Sequence, residues 1–203
     1  MKKKGKIVLN LGCGDKKLKG AVNVDKSNLH NVDIVHDLNI IPYPFPDAHA
    51  DEIHMYHVLE HLDDPIAVME EVHRILKPGG ILYLRVPHFS SLYAWGDITH
   101  KRAYSLNAFD IFDESTRLRD LGYTKAKFKI KQRKLRYFYT WPNEPWYEEQ
   151  IVRPIWPKGA EFILKPWILF VNFLIGLSPQ VFERFWCYYV GGAAEIYMIF
   201  GKV

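Results

Sequence analysis

Ile7 to Leu11 is a short apolar, β-prone run that stops at Gly12-Cys13-Gly14, the pattern of a strand running into a glycine turn. Ala21-Val22-Asn23-Val24-Asp25 predicts a second strand with an acid at its end. Asp33 to Val35 gives a third, shorter one before His36-Asp37-Leu38, and Asp51 to Tyr56 gives a fourth beyond the proline-rich loop IIPYPFPDAHA. The period then changes. Asp63-Asp64-Pro65 has the form of a helix start, with Asp64 as N-cap and Pro65 at the first helical position. Ile66, Met69, Val72, Ile75 and Leu76 fall on one face, and Gly79-Gly80 ends the helix after Lys77-Pro78. Ile81 to Val86 reads as a fifth strand. Strands alternating with helices predict an α/β architecture with a parallel sheet.

Pro87 to Tyr104 is loop-like and rich in His, Tyr, Trp and Asp, just beyond the end of strand five, where open α/β sheets bind ligands. Ser105 is placed to cap a helix running to about Leu121 and ending at Gly122. Lys125 to Lys131 alternates Lys with Ala126, Phe128 and Ile130, a half-buried strand with a basic outer face. Residues 137 to 160 read as a Trp/Pro loop, 161 to 190 as a very apolar helical segment, and Ala194 to Val203 as a closing strand. No internal repeat interrupts this order.

The length of 203 residues suits a single domain over residues 1–203. Hydrophobic and charged fractions of 48% and 25% are ordinary, but 15% aromatic is high. Five of the six Trp (Trp141, Trp146, Trp156, Trp167 and Trp186) lie in the last third, which sets that third apart. A net charge of +4 permits an anionic partner without requiring one. Seven basic residues stand between Lys125 and Arg136, but the only stacking side chains nearby are Tyr137, Phe138 and Tyr139, so nucleic acid is disfavoured. Cys13 and Cys187 form no CxxC pair and read as free thiols of a reducing cytosol. The basic start has its apolar stretch broken by Asn10 and glycines, unlike a signal peptide, so the expected location is cytoplasmic.

The run from Trp167 to Leu177, interrupted by Asn172, is too short for a bilayer span of about 20 residues. The whole 161–190 segment suits several uses: lying in a membrane interface with Trp and Tyr at headgroup level, covering a greasy acceptor as a lid, or forming a dimer surface. Simple core packing is its ordinary use.

The glycine turn followed by an acid has a physical purpose. Glycines let the backbone approach a ligand, and a carboxylate accepts both hydrogen bonds of a ribose diol. The dinucleotide fingerprint requires a third glycine and an acid about 20 residues on. Here the third glycine is absent and Asp25 comes 11 residues after Gly14, so NAD is disfavoured.

The ordered set of LNLGCG (residues 9–14), NVD (23–25), HDLNIIPYPFPDAHADEIHMYHVLEHL (36–62) and EVHRILKPGGILYLRVPH (71–88) resembles class I S-adenosylmethionine (SAM) dependent methyltransferases of the type 11 group. The resemblance implies a Rossmann-like, doubly wound sheet of seven strands, parallel except for one antiparallel strand near the C-terminus. It implies a SAM-binding core over 5–88 and acceptor-side caps over 87–120 and 137–190. Gly12 and Gly14 would pass under the methionine part of SAM, with Asn10, Leu11 and Cys13 beside it. Asp25 would hold the ribose hydroxyls, Asp37 with the Leu38 backbone would meet the adenine, and Tyr56 and His57 would line the pocket. One departure from the family is a first helix that is missing or very short, replaced by a loop containing Lys16, Lys17, Lys19 and Gly20. Methyl transfer would leave S-adenosylhomocysteine as product.

HVLEH (57–61) matches the H-x-x-E-H signature of one class of zinc peptidases. That chemistry needs both histidines on one regular helix, and only residues 57–63 lie between strand four and the helix start, so a peptidase is disfavoured. Some small-RNA and quinone-ring methyltransferases carry E-x-x-E-H here and hold a divalent ion. In this chain His57 replaces the first acid, so no metal is assigned, and a divalent ion held at Glu60 and His61 to polarise an acceptor hydroxyl is the lesser reading. His57 is expected against the cofactor, with Glu60 and His61 as surface or outer residues.

For the acceptor, His88 just after strand five and Asp97 and His100 of GDITHKR are the candidates to orient it or remove a proton. The expected acceptor is a small molecule, lipid-like or saccharide, presenting a hydroxyl or amine. The alternatives are a SAM-binding regulatory protein that transfers nothing, and an RNA methyltransferase.

Overall fold

The computed structural model describes residues 5–136, 160–187 and 193–203. Seven strands form one sheet: β1 (Val8–Leu11), β2 (Val22–Asp25), β3 (Ile34–Val35), β4 (Ala50–Tyr56), β5 (Leu76–Pro87), β6 (Phe128–Arg136) and β7 (Glu195–Lys202). Their order is β3-β2-β1-β4-β5-β7-β6. The first five pair in parallel, and β7 runs antiparallel between β5 and β6. This is the expected Rossmann-like sheet with its single reversed strand.

Side chains alternate across the strands. Ile53, Met55, Leu82, Leu84, Val86, Ile196 and Met198 belong to one core with Val68, Met69, Val72 and Ile75 of helix α1 (Pro65–Ile75). The neighbouring positions on the other face, Glu52, His54, Tyr56, Tyr83, Arg85 and Tyr197, line an open groove of about 430 Å³. No helix separates β1 from β2, as expected. Two asparagines hold the intervening loop instead. Asn10 Nδ2 donates to Asn23 Oδ1 (2.9 Å) and to the Lys16 carbonyl (3.1 Å), while Asn23 also accepts from Leu18 N (2.7 Å) and donates to the Ala21 carbonyl (3.0 Å).

Three predicted elements differ. Helix α1 starts as read, with Asp64 Oδ1 accepting from Ile66 N and Ala67 N, but it ends at Ile75 rather than at the glycines. Pro78 is incompatible with continued helix, and Leu76 turns extended and pairs with Ala50 of β4. The helix expected from Ser105 to Leu121 is a series of turns with two 3-10 stretches, Asp110–Phe112 and Arg117–Leu121. Asp113 competes for the local backbone there by accepting from Ser115 N and Oγ, and Asp110 and Asp113 both face Arg133 of β6. β6 runs later than its alternating lysines suggest. A bulge between Ile130 and Gln132 resets the phase and turns Leu135 into the core.

The apolar segment is helix α3 (Ala160–Leu177), then a turn at Pro179–Val181 and a wider coil at Phe182–Trp186. Of the Trp/Pro loop read over 137 to 160, residues 137–159, with Tyr137, Phe138 and Tyr139, lie outside the described residues, and Ala160 begins α3.

Candidate functional site

The glycine turn sits at the C-terminal end of β1. Gly12 N and Cys13 N donate to the Val24 carbonyl at 2.8 and 3.0 Å, which draws the turn over the end of β2. Gly12 (φ +69°) and Gly14 (φ +55°) are both left-handed, the region where glycine avoids a steric cost. Their surroundings differ. A Cβ on Gly12 would lie 2.7 Å from Val58 Cγ1, and nearer still to Cγ2, whereas one on Gly14 would meet nothing within 4 Å. The backbone of Gly12 is therefore pressed against the 57–61 turn, and that of Gly14 borders open space. Asp25 Oδ2 accepts from Gly14 N (2.8 Å) and Oδ1 from Ser27 N (2.9 Å), so this carboxylate shapes the turn and keeps a lone pair on each oxygen. Asp37 Oδ1 accepts from Asn39 N (2.9 Å). Leu11, Cys13 and Leu38 are buried, and Leu38 offers its carbonyl to the Tyr43 hydroxyl. Burial pushes the Cys13 thiol up to about 11, which makes it a spacer rather than a nucleophile.

Beside this turn, β4 ends in a strained residue. His57 holds φ +56°, uncommon for a side chain of this size, and its ring bridges two fully buried carboxylates: Nε2 to Glu195 Oε2 at 3.2 Å and Nδ1 to Glu60 Oε1 at 3.5 Å. Burial opposes charge on this ring, but Glu195 and Glu60 outweigh it and raise His57 to about 9, so it is an imidazolium at neutral pH. Arg136 Nη1 lies 3.0 Å from the other oxygen of Glu195. Tyr56 points the opposite way, into the groove, with its hydroxyl 2.7 Å from His54 Nδ1 and Arg85 over its ring.

Glu60, expected as a surface or outer residue, is wholly buried in the 3-10 turn Leu59–His61. The loop after β5 meets it there, since Lys101 N donates to the Glu60 carbonyl (2.9 Å). Helix α2 (Leu92–Gly96) leads into that loop. His100 Nε2 lies 4.0 Å from Glu60 Oε1 and 3.8 Å from Asp97 Oδ2, and the rings of His61 and His100 are 4.6 Å apart edge to face. Asp97 is exposed, and hydrogen bonds from Thr99 lower its pKa.

His88 departs from its expected part. It is fully buried, with Nδ1 2.7 Å from Ser90 Oγ and Nε2 3.0 Å from Glu183 Oε1. Both nitrogens are committed, so His88 ties β5 to the C-terminal coil and has no free position for an acceptor's proton. Glu195 escaped sequence reasoning, although an acid inside the apolar stretch AAEIYMIF is itself a signal that a buried charge awaits a partner.

Residues 1–136 of the chain match a family described as a methyltransferase domain. The chain belongs to that family. Demethylmenaquinone methyltransferases of Listeria welshimeri and Geobacillus stearothermophilus are 38% and 39% identical over 63 and 62 residues, stretches that make up 31% and 30% of this chain. The match spans only 26% of the length of each of those relatives. Among solved structures, a SAM-dependent methyltransferase from Archaeoglobus fulgidus superposes with a TM-score of 0.53 at 17% identity, over 97% of this chain and 86% of that one. The cyclase SpnF does so with a TM-score of 0.51 at 18% identity, over 98% and 74%. At such identity the likeness shows the fold.

This methyltransferase domain is of the SAM-dependent class, and the turn fits that cofactor. Gly14 borders space that a side chain would fill, and Asp25 retains acceptor capacity at the edge of it. No helix among the described residues is long and apolar enough to cross a membrane.

Proposed function

We propose that the protein transfers the methyl group of SAM to a hydroxyl oxygen of a small acceptor with an apolar body. The observation that carries this reading is the contact of Gly12 with Val58. It sets the cofactor turn directly against the short segment that bears His57 and Glu60, so the cofactor's place and a cluster of proton-handling groups share one edge of the sheet. When bound, SAM supplies an electrophilic methyl group on a sulfonium. In this reading Gly12 and Gly14 admit its methionine end, Asp25 accepts from the ribose hydroxyls and Asp37 from the adenine amine. The positively charged His57, fixed by Glu60 and Glu195, orients the groups around it. The hydroxyl's proton is lost at the cluster of Glu60, Asp97 and His100. Transfer of this kind is an in-line displacement, so most of the rate comes from positioning.

Support for an apolar acceptor comes from what the cap exposes. Leu92, Trp95 and Ile98 project to solvent around α2, and Trp167, Phe170, Phe173 and Leu177 form an outward face of α3 whose inner face is Val171 and Ile175. Aromatic residues on an outward helix face suit contact with a lipid interface from which such an acceptor would be drawn.

The test is formation of S-adenosylhomocysteine from SAM with a panel of apolar-bodied alcohols, phenols and glycosides. Turnover that disappears in Asp25→Ala supports the reading. Failure of the wild-type protein to bind SAM or S-adenosylhomocysteine refutes it, and binding without turnover on any acceptor favours a regulatory SAM-binding protein instead.

A further inference from the structure

Glu60 presents a problem in physical chemistry. Its side chain is 0% exposed, yet neither carboxylate oxygen accepts a hydrogen bond from any described residue. Its nearest basic nitrogens are His57 Nδ1 at 3.5 Å and His100 Nε2 at 4.0 Å, both beyond good hydrogen-bond length. The His57 ring beside it is shared with Glu195, so part of the cost of burying this carboxylate is left unmet.

Around it the imidazoles are arranged as ligands. His100 Nδ1 lies 3.2 Å from the Ala94 carbonyl, which fixes the proton on Nδ1 and leaves Nε2 as a lone pair facing Glu60. His61 Nδ1 lies 3.0 Å from Thr99 Oγ1, whose own proton goes to Asp97 Oδ1 at 2.7 Å, so His61 too is left with Nε2 as its free lone pair. A backbone carbonyl or hydroxyl holding the far nitrogen is the support that metal-binding histidines ordinarily have. One ligand atom each from Glu60, His61 and His100 lies within 4.8 Å of the other two. Ligands about 2.1 Å from a shared ion are at most about 4.2 Å apart. In a tetrahedral site they stand about 3.4 Å apart, so closing the cluster takes side-chain movements of up to about 1.4 Å, shared between the partners.

We propose that Glu60, His61 and His100 bind a divalent first-row transition ion, with Asp97 at the solvent-facing rim of the site. Two imidazoles and one carboxylate select Zn²⁺ or Mn²⁺ over Mg²⁺ and leave positions open. His57 is not counted as a ligand, because its two ring nitrogens already face the carboxylates of Glu60 and Glu195. The ion's role rests on the methyl-transfer reading and refines it. The acceptor hydroxyl occupies an open position, its pKa falls on coordination, its proton leaves to solvent past Asp97, and His100 stays a ligand throughout. As the oxygen–methyl bond forms and the sulfur–methyl bond breaks, the ion holds the charge on the oxygen.

Direct binding tests the site apart from catalysis. The protein is stripped with chelator and titrated with Zn²⁺, Mn²⁺ and Mg²⁺ by calorimetry, with thermal unfolding and S-adenosylhomocysteine binding followed in parallel. One equivalent of Zn²⁺ or Mn²⁺ should bind at least 30-fold more tightly than Mg²⁺ and raise the melting temperature. His61→Gln and Glu60→Gln should each weaken binding at least 30-fold, with His61→Gln melting near the stripped wild-type protein. Non-saturable binding, or equal Zn²⁺ affinity in His61→Gln and the wild type, overturns the proposal. Loss of S-adenosylhomocysteine binding with the metal site intact would overturn the methyl-transfer reading alone.

Discussion

Gly12→Ala and Gly14→Ala impose the same backbone demand and opposite packing demands, so the pair separates two roles of the turn. Both residues have left-handed φ values, and an alanine there costs about 1–2 kcal/mol. At Gly14 that is the whole of it, because the new methyl enters open space. At Gly12 the methyl would lie 2.7 Å from Val58 Cγ1 and 3.1 Å from Cβ, where carbon atoms prefer about 3.5–4.0 Å. Val58 is itself buried, so an overpacking cost of about 1–3 kcal/mol adds. Gly12→Ala should therefore lose about 2–5 kcal/mol. For a domain of this size that is roughly 4–20 °C of melting temperature, at about 2–4 °C per kcal/mol. Gly14→Ala should fall by about half as much or less. S-adenosylhomocysteine affinity should drop in both, since each methyl points at or displaces the cofactor turn. Thermal unfolding and calorimetry on the two variants supply the comparison. Adding Val58→Ala to Gly12→Ala should recover part of the loss, a non-additivity of about 1–2 kcal/mol between touching sites. If both glycine variants melt within a degree of each other, or the double variant is strictly additive, the Gly12–Val58 contact is not what sets the turn.

Asp25→Ala should weaken S-adenosylhomocysteine binding at least tenfold by calorimetry, because it removes the acceptor for the ribose and frees Gly14 N and Ser27 N together; unchanged affinity would exclude Asp25 from the cofactor site. Asp64→Ala should cost about 1 kcal/mol in urea unfolding through loss of the α1 cap, with cofactor affinity retained. Burial lowers His54 to about 4, so the folded state refuses a proton that the unfolded chain takes up near pH 6.5. Stability should accordingly fall as pH drops from about 6.5 to 4, and His54→Gln should flatten that part of a urea-midpoint profile. Asp33 is held down to about 2 by hydrogen bonds from the Asn23 side chain and backbone and by Lys17. Its contribution is present above about pH 4 and lost toward pH 2, and Asp33→Asn should lessen the slope there.

Strand positions were legible because apolar runs ending at glycine or an acid leave little choice, and the N-cap at Asp64 was legible from three residues. What escaped was fixed by tertiary contact. Lys202 Nζ donates to the carbonyls of His73 and Leu76, closing the end of α1 from the far strand, and no local pattern announces a donor 126 residues away. Sequence left Glu60 as a surface or outer residue, because a charged residue in a short linking turn ordinarily finds water. The loop bearing Lys101 covers it here, and that burial turns an unremarkable glutamate into the centre of the cluster. His88 fails as a base for the converse reason, since its partner Glu183 lies in the C-terminal coil.

The position of β7 has a bearing on how the chain is made. Its partner β5 ends at Pro87, and pairing resumes at Glu195, about a hundred residues later. Until residue 195 has left the ribosome, a nascent chain can assemble five parallel strands but leaves the β5 edge open, with Leu84 and Val86 awaiting cover and His57 lacking one of its two carboxylates. Such an edge invites pairing with other chains, and so long a loop closes slowly. The molecule should thus pass through a stalled half-sheet during synthesis and become resistant to proteolysis only when β7 slides between β5 and β6. The step that seals the sheet is the same one that brings Glu195 to His57, so a chain caught before it would hold neither a finished core nor a finished site.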